Sequence, residues 1–473
     1  KVNSIVLKPH EVEHWLHNNK PQCIILSGGP ASVYEENAPM PPDIIFSLGI
    51  PILGICYGMQ AIAKKFGGFV GSYSRVKNYG RTHITRSHRL ISCQPCSYES
   101  EPVFASHGDV VIGVPSGFIQ TATFSRKGVA VTAAMGDPVR KIWGVQYHPE
   151  AVQTVYGKEL FFRFLSDIAG CKEDWNTKNA FTLIEEYIRT LKGSRVVIGF
   201  SGGVDSSVMA ALVLRSLPMQ DILGVCIDTG FLREGEIEEV RQKANLIGLP
   251  LVTVHAAEQF FKGLSGIIDA EERRHAFRKV YHPLFLDEAT QFKAHHILHG
   301  GIAPDFIETL DAGDMIKTHH NINASYMQPL KDLFKFEVRE IGRELGLSKE
   351  ITECPPFPGP GLAIRVINTP VTQESINLIR SVTADLEWIL RHRGLYYKIS
   401  QMPIVLFHIP TTGVKGDKRS YADTIAVRPV STPDFMTAEP YKLSMEVIQE
   451  MTSAVTQYPG INRLVVDYTD KPP

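Results

Sequence analysis

Short apolar runs closed by turn residues alternate with helix-period segments along most of the chain. Residues 22–27 (QCIILS), 51–55 (PILGI) and 142–147 (IWGVQY) read as short buried strands. Residues 57–66 (YGMQAIAKKF) and 157–169 (GKELFFRFLSDIA) carry the apolar spacing of helices. The polar stretch from Cys171 to Thr177 is the best linker candidate. The pattern then resumes with a helix at 179–192, a strand at 195–200, a helix at 204–217, a strand at 222–227 and a helix at 235–247. Such alternation predicts a parallel sheet with its ligand at the carboxyl ends of the strands. The run PPFPGPG at 355–361 interrupts regular structure. Beyond it the order changes to a long helix near 372–393, strands near 404–408 and 424–428, a helix at 442–456 and a strand at 462–467. The expectation is three domains: residues 1–170 and 171–354 as two α/β domains with parallel sheets, and residues 355–473 as a smaller C-terminal α+β domain.

Composition narrows the function classes. A 44% hydrophobic share over 473 residues can bury several cores, and a formal net charge of −1 gives no electrostatic case for nucleic acid or an anionic membrane. No apolar run reaches the roughly 18 residues of a membrane span, and the first residues contain no apolar signal segment. Seven scattered cysteines, an odd number, argue against a disulfide framework and for a reducing cytosol, so the expected location is cytoplasmic. Cys93 and Cys96 form a C-x-x-C with no second pair, which reads as two incidental thiols rather than a zinc or redox site.

Chemistry enters at PILGICYGMQ, which places Cys56 between a buried strand and a helix with Gly54 and Gly58 on either side. A nucleophile on such a turn projects from the sheet, close to backbone N–H groups that stabilise an oxyanion. A helix N-terminus also favours thiolate over thiol. The matching base is a histidine from elsewhere in the chain, oriented by a carboxylate. GVQYHPE supplies His148 and Glu150 just after a strand. Taken singly, Cys56 reads as a buried small hydrophobe and His148 as a turn histidine.

A second constellation is VIGFSGGVDSS at 197–207, a strand running into a glycine-rich turn and then a helix. Free N–H groups and the positive helix end suit a phosphate there. The loop has no lysine, so it is not a kinase-type phosphate loop.

Together these segments resemble known families. Gly54-x-Cys56-x-Gly58, His148-Pro149-Glu150, ILSGGP at 25–30 and SHGD at 106–109 resemble a class I glutamine amidotransferase domain over residues 1 to about 168. The resemblance implies that Cys56 attacks the glutamine side-chain amide, His148 shuttles the proton and Glu150 orients His148. It places Gly28 and Gly29 on the oxyanion side, with Gln60, Ser106 and His107 as glutamine contacts. Ser201, Gly202, Gly203, Val204, Asp205, Ser206 and Ser207 resemble the loop of the ATP pyrophosphatase family, in which attack falls on the α-phosphate and intact pyrophosphate leaves. The missing lysine is then understandable, because no γ-phosphoryl group is transferred. The implied cofactor is Mg²⁺, held with ATP by Asp205.

KTHHN (317–321), PPFPGPGLAIRV (355–366), SQMP (400–403), GVKGDKRSYA (413–422), DFMTA (434–438) and the closing INRLVVDYTDKPP extend the likeness. With them, essentially the whole chain resembles the glutamine-hydrolysing GMP synthetase family. Implied are glutamine, ATP and xanthosine 5′-monophosphate (XMP) as substrates, XMP contacts at Arg233, Gln401, Asp417 and Lys471, and a homodimer formed through the third domain. A Lys or Arg near the Gly359-Pro360-Gly361 turn is a plausible phosphate donor. The sequence departs from the family pattern at four places. It starts after the family's first strand, runs directly from Asn323 to Ala324 where the family is longer, has Pro356 where a histidine is usual, and stops at Pro473.

Overall fold

The computed structural model describes residues 2–72, 78–86, 100–126, 129–151, 153–303, 305, 325–415, 417–432 and 438–469. The chain forms two compact units, Lys1–Asn176 and Thr177–Pro473.

The first unit is built on a seven-stranded sheet. Three parallel strands, Ile24–Leu26, Ile52–Ile55 and Ile142–Val145, lie side by side. Ile52–Ile55 and Ile142–Val145 are buried at every position, as strands covered on both faces must be. The sheet continues through Val129–Asp137, Ile119–Arg126, Asn78–Arg86 and Ser100–His107, all antiparallel to their neighbours. The expected parallel strands are thus present, and an unanticipated antiparallel half extends them. The helix Tyr57–Lys65 packs over the parallel half, burying Met59, Ala61, Ile62 and Ala63. The helix expected at 157–169 begins as Gly157–Phe162 and widens into a π-helical turn at Arg163–Ile168.

In the second unit a five-stranded, wholly parallel sheet has the order Leu251–His255, Ile222–Asp228, Val196–Gly199, His296–Leu298, Ser325–Met327. Strand order reverses at Val196–Gly199, so its carboxyl end opens onto a topological switch point, where doubly wound sheets bind ligands. The helix Val204–Ser216 starts there and buries nearly all its faces.

A four-stranded mixed sheet follows, ordered Val366–Ile367, Ile404–Lys415, Lys418–Val427, Ile461–Val466. The helix Gln373–His392 begins at a Thr372–Ser375 capping box and buries Ile376, Ile379, Val382, Leu386 and Ile389 along one stripe. Met445–Thr456 is capped by Ser444 and buries Val447, Met451 and Val455 at four-residue spacing. One hydrophobic cluster links the parallel sheet to the mixed sheet, from Val197 to Ile461. Arg273, fully buried, joins its parts by donating to the carbonyl oxygens of Ile267, Ala363, Val366 and Thr369.

Candidate active site

Cys56 occupies the joint between Ile52–Ile55 and Tyr57–Lys65 with φ 49° and ψ −105°, a backbone conformation costly for an L-residue and typical of functional turns. Its glycine neighbours make the joint possible. A Cβ on Gly54 would come within 2.6 Å of the Gly58 backbone, and one on Gly58 within 2.2 Å of the Leu26 carbonyl oxygen. The elbow aims the sulfur past the carboxyl end of the parallel strands, beside a first helical turn whose N–H groups lack intrahelical acceptors.

His148 follows the strand Ile142–Val145. Its backbone N–H donates to the Phe104 carbonyl at 2.8 Å, and its own carbonyl accepts from Thr154 Oγ1 at 2.6 Å. Nδ1 lies 2.7 Å from Glu150 Oε1. Burial works against a charged imidazole here, but Cys56 and Glu150 outweigh it and raise His148 to about 10. At neutral pH the ring therefore keeps its proton, with Nδ1–H donated to the carboxylate, while Nε2 is buried and makes no hydrogen bond among the described residues.

Gly28 closes the space above this pair. A Cβ there would stand 3.2 Å from His148 Cε1 and 3.6 Å from Cys56 Cβ. Gly29 is next to it, with Tyr57 as the nearest side chain at 3.9 Å from where its Cβ would be. The Ser106 carbonyl accepts from the Cys56 thiol at 3.5 Å. His107 is lowered to about 4 by burial and by the charge of His148, and is neutral. Gln60 is buried, and its Nε2 donates to the Asp109 carbonyl at 2.9 Å, while Ser32 Oγ donates to the Asp109 carboxylate at 2.6 Å. Gln60 therefore anchors the 106–109 segment. Sequence reasoning passed over Gln146, whose Nε2 faces the sulfur at 3.7 Å. Its signal was its place in GVQYHPE, two residues before His148.

The second constellation lies at the switch point of the parallel sheet. The Ser206 hydroxyl faces Ser201 Oγ at 3.3 Å and donates to the Gly203 carbonyl at 3.1 Å; the Gly203 N–H donates to Ser201 Oγ at 3.4 Å. Gly202, at φ +71°, lets the chain turn, and Val204 opens the helix. Asp205 stands in its first turn and Ser207 is fully buried. The loop lacks a lysine, but the fold supplies two. Lys243 Nζ donates to the Gly202 carbonyl at 3.1 Å, and Lys335, at the start of the helix Lys335–Glu344, pairs with Asp205 Oδ2. Burial pushes the Asp205 carboxyl above its usual value against the pull of Lys335. The other oxygen, Oδ1, is buried with no hydrogen-bond partner among the described residues. Lys335 lies 130 residues from Asp205 in the chain, so no local motif marks it.

Of the residues expected to touch XMP, Arg233 and Gln401 line one pocket, together with Pro356, Phe357, Arg365 and Glu387. Arg233 stacks over Phe357 at 4.7 Å and pairs with Glu236 at 3.0 Å and Glu387 at 3.1 Å. Burial opposes its charge, but the two carboxylates hold it firmly protonated. Arg365 follows the Gly359-Pro360-Gly361 turn and is lowered to about 10 by burial and by Arg274. Gln401 Nε2 donates to the Pro356 carbonyl at 3.3 Å. Asp417 stands apart from this pocket, exposed at the tip of the hairpin between Ile404–Lys415 and Lys418–Val427 with φ 57°. Lys471, Cys93, Cys96 and the 317–321 segment lie outside the described residues.

Residues 1–168 match the family described as glutamine amidotransferase class-I, residues 176–273 that described as NAD synthase, and residues 389–473 the GMP synthase C terminal domain. A GMP synthase [glutamine-hydrolyzing] of Chlorobium limicola is 37% identical, over 100% of this chain and 94% of its own length. That of Thiobacillus denitrificans is 38% identical over 99% and 93%, and that of Caldicellulosiruptor saccharolyticus 39% identical over 96% and 90%. Matches at this identity, spanning the amidotransferase elbow, the phosphate loop and the C-terminal sheet alike, place the chain in the glutamine-hydrolysing GMP synthase family.

Proposed function

We propose that the chain makes GMP by two linked reactions, ammonia release at Cys56 and ATP-driven activation of XMP at the loop 201–207. The observation that carries the first is His148 paired with Glu150 in the space that Gly28 shares with Cys56, with the proton retained on His148. The Cys56 thiolate attacks the side-chain carbonyl carbon of glutamine. The oxyanion faces backbone N–H groups of Gly28, Gly29 and the first turn after Cys56. His148 gives its proton to the departing nitrogen, leaving ammonia and a glutamyl thioester. Neutral His148 then takes a proton from water, whose oxygen cleaves the thioester to glutamate and restores thiolate and imidazolium. Ser106 and His107, on the segment anchored by Gln60, hold the glutamine backbone.

In the second reaction Ser201, Gly202, Gly203, Val204, Ser206 and Ser207 cradle the β- and γ-phosphates of ATP. The XMP 2-oxygen attacks the α-phosphorus, pyrophosphate departs, and ammonia displaces AMP at C2. Asp205 suits Mg²⁺, because its open, buried Oδ1 is a hard oxygen, and one carboxylate with phosphate oxygens and water is a usual magnesium environment. Bound Mg²⁺ would neutralise the charge that builds on the pyrophosphate. Arg233 and Gln401 hold XMP, with Arg365 as the phosphate donor beside the Pro-Gly turn; Asp417 and Lys471 are assigned on family likeness.

Residues 355–473 form the dimerising part, a reading supported by Val414 and Tyr421, which expose apolar surface on the hairpin. The five described cysteines are free, which suits the cytoplasm. Among the described residues no helix is long and apolar enough to cross a membrane. Neither nucleic acid nor membrane is assigned as a partner.

The test is ATP-dependent conversion of XMP and glutamine to GMP, with AMP and pyrophosphate in equal amounts. Cys56→Ala should abolish this reaction while GMP synthesis from ammonium salt continues. ADP and orthophosphate as direct products would overturn the adenylation reading. Loss of both activities in a folded Cys56→Ala protein would overturn the division of labour. Sedimentation showing only monomer at micromolar protein would refute the dimer.

A further inference from the structure

Among the described residues the Cys56 sulfur has two polar neighbours besides His148, and they respond in opposite ways when the thiol loses its proton. The Ser106 carbonyl, at 3.5 Å, accepts from S–H and repels a thiolate. The Gln146 amide Nε2, at 3.7 Å, donates to sulfur, and this bond strengthens once the sulfur is charged. Gln146 is placed for this by its backbone. Its N–H donates to the Ala133 carbonyl at 2.8 Å, and the preceding carbonyl, of Val145, accepts from the Cys56 N–H at 2.7 Å. One chain segment thus fixes both the nucleophile and the amide that faces it.

Gln146 is fully buried, and its Oε1 has no hydrogen-bond partner among the described residues. A buried amide oxygen left unpaired lowers stability, and an apolar side chain of the same size would avoid that cost. Packing alone therefore does not account for a glutamine here; its N–H group, directed at the sulfur, does.

We propose that Gln146 is a catalytic residue of the glutaminase reaction, its Nε2–H stabilising the Cys56 thiolate and offsetting the Ser106 carbonyl. No bond to Gln146 forms or breaks; it lowers the energy of the thiolate before attack and again when the thioester is cleaved. The assignment rests on Cys56 being the nucleophile.

The experiment uses the full chain, with Gln146→Met, close in volume and lacking the donor, and Gln146→Glu, the same shape with a negative charge. The measurement is the rate at which iodoacetamide abolishes glutamate release from glutamine, followed against pH. The midpoint of that profile should rise by about one pH unit in Gln146→Met, equivalent to about a tenfold loss of thiolate at a fixed pH below it. It should rise further in Gln146→Glu. Turnover of glutamine should fall while its KM changes little. Variants are compared where circular dichroism matches the parent, and Gln146→Glu carries the test if the methionine variant does not fold. An unmoved midpoint, with or without loss of turnover, would leave Gln146 a packing residue and overturn the proposal. Glutamate release by Cys56→Ala would instead defeat the nucleophile assignment on which it rests.

Discussion

Gly58→Ala tests whether the elbow depends on close approach between helix and strand. Gly58 is the second residue of the helix that begins at Tyr57, and a Cβ there would meet the Leu26 carbonyl oxygen at 2.2 Å and its carbonyl carbon at 2.8 Å. Both are backbone atoms of the strand Ile24–Leu26, which is hydrogen-bonded in the sheet and cannot swing aside as a side chain can. Restoring an ordinary contact of about 3.5 Å requires the helix start to retreat by about 1 Å. Overpacking of this kind costs about 1–3 kcal/mol, from which the better helix propensity of alanine returns about 1 kcal/mol. The larger effect is on Cys56, one residue before the helix. A nucleophile displaced by about 1 Å loses roughly 100-fold in rate. Glutamate release should fall by about that factor, with only a small drop in the urea midpoint and with GMP formation from ammonium salt preserved. A Gly58→Ala protein that hydrolyses glutamine at the parental rate would refute the argument that the glycine is needed for this approach.

Two further outcomes follow from the charges. Because His148 is raised to about 10, its paired, protonated form contributes stability fully below its ordinary value of 6.5, and this is lost as pH rises through about 10. The kcat/KM for glutamate release should accordingly fall on approach to pH 10, and Glu150→Gln should bring that fall to lower pH; a profile unmoved by Glu150→Gln would refute the assignment of Glu150. Lys335→Met should strand the Asp205 carboxylate, both partners being mostly buried, and cost about 3 kcal/mol in urea unfolding at neutral pH. The cost should shrink on acidification, since protonation removes the stranded charge, and an unchanged urea midpoint at pH 7 would count against the pairing.

What could be read from the sequence was what the chain encodes locally. Ile52–Ile55, Val196–Gly199 and Ile222–Asp228 are short, largely apolar runs, and Gln373–His392 carries an uninterrupted helical stripe. The antiparallel strands between Asn78 and Asp137 escaped notice because their alternation is broken by register shifts and partly polar faces. The candidate catalytic motifs were legible because Cys56 and His148 each follow a strand beside glycine or proline. Glu387 on Arg233 and Lys335 on Asp205 were not, because both pairs join elements more than 100 residues apart. Gln146 lay in plain view within GVQYHPE, but only the position of the Cys56 sulfur gives its amide a purpose.

The lysine-free loop is best understood through those distant pairs. In a loop that transfers the γ-phosphoryl group, a lysine inside the loop follows the charge on the moving group. Here the cations are fixed at two other points: Lys243 on the Gly202 carbonyl and Lys335 on the Asp205 carboxylate. Each is already engaged by the protein, so neither is held free to travel with a phosphate. A reaction that breaks the α–β bond needs a different service, since the negative charge develops on a pyrophosphate that stays where ATP placed it. Static donors and static counter-charges around the loop meet that need, and preorganised groups of this kind stabilise the transition state without reorganising during it. With Asp205 as the proposed metal ligand, its carboxyl, disfavoured as an anion by burial, would gain most from a metal arriving with the nucleotide. On the proposed reading, the energetic penalty of that buried carboxylate would become binding selectivity for a metal–nucleotide complex over the nucleotide alone.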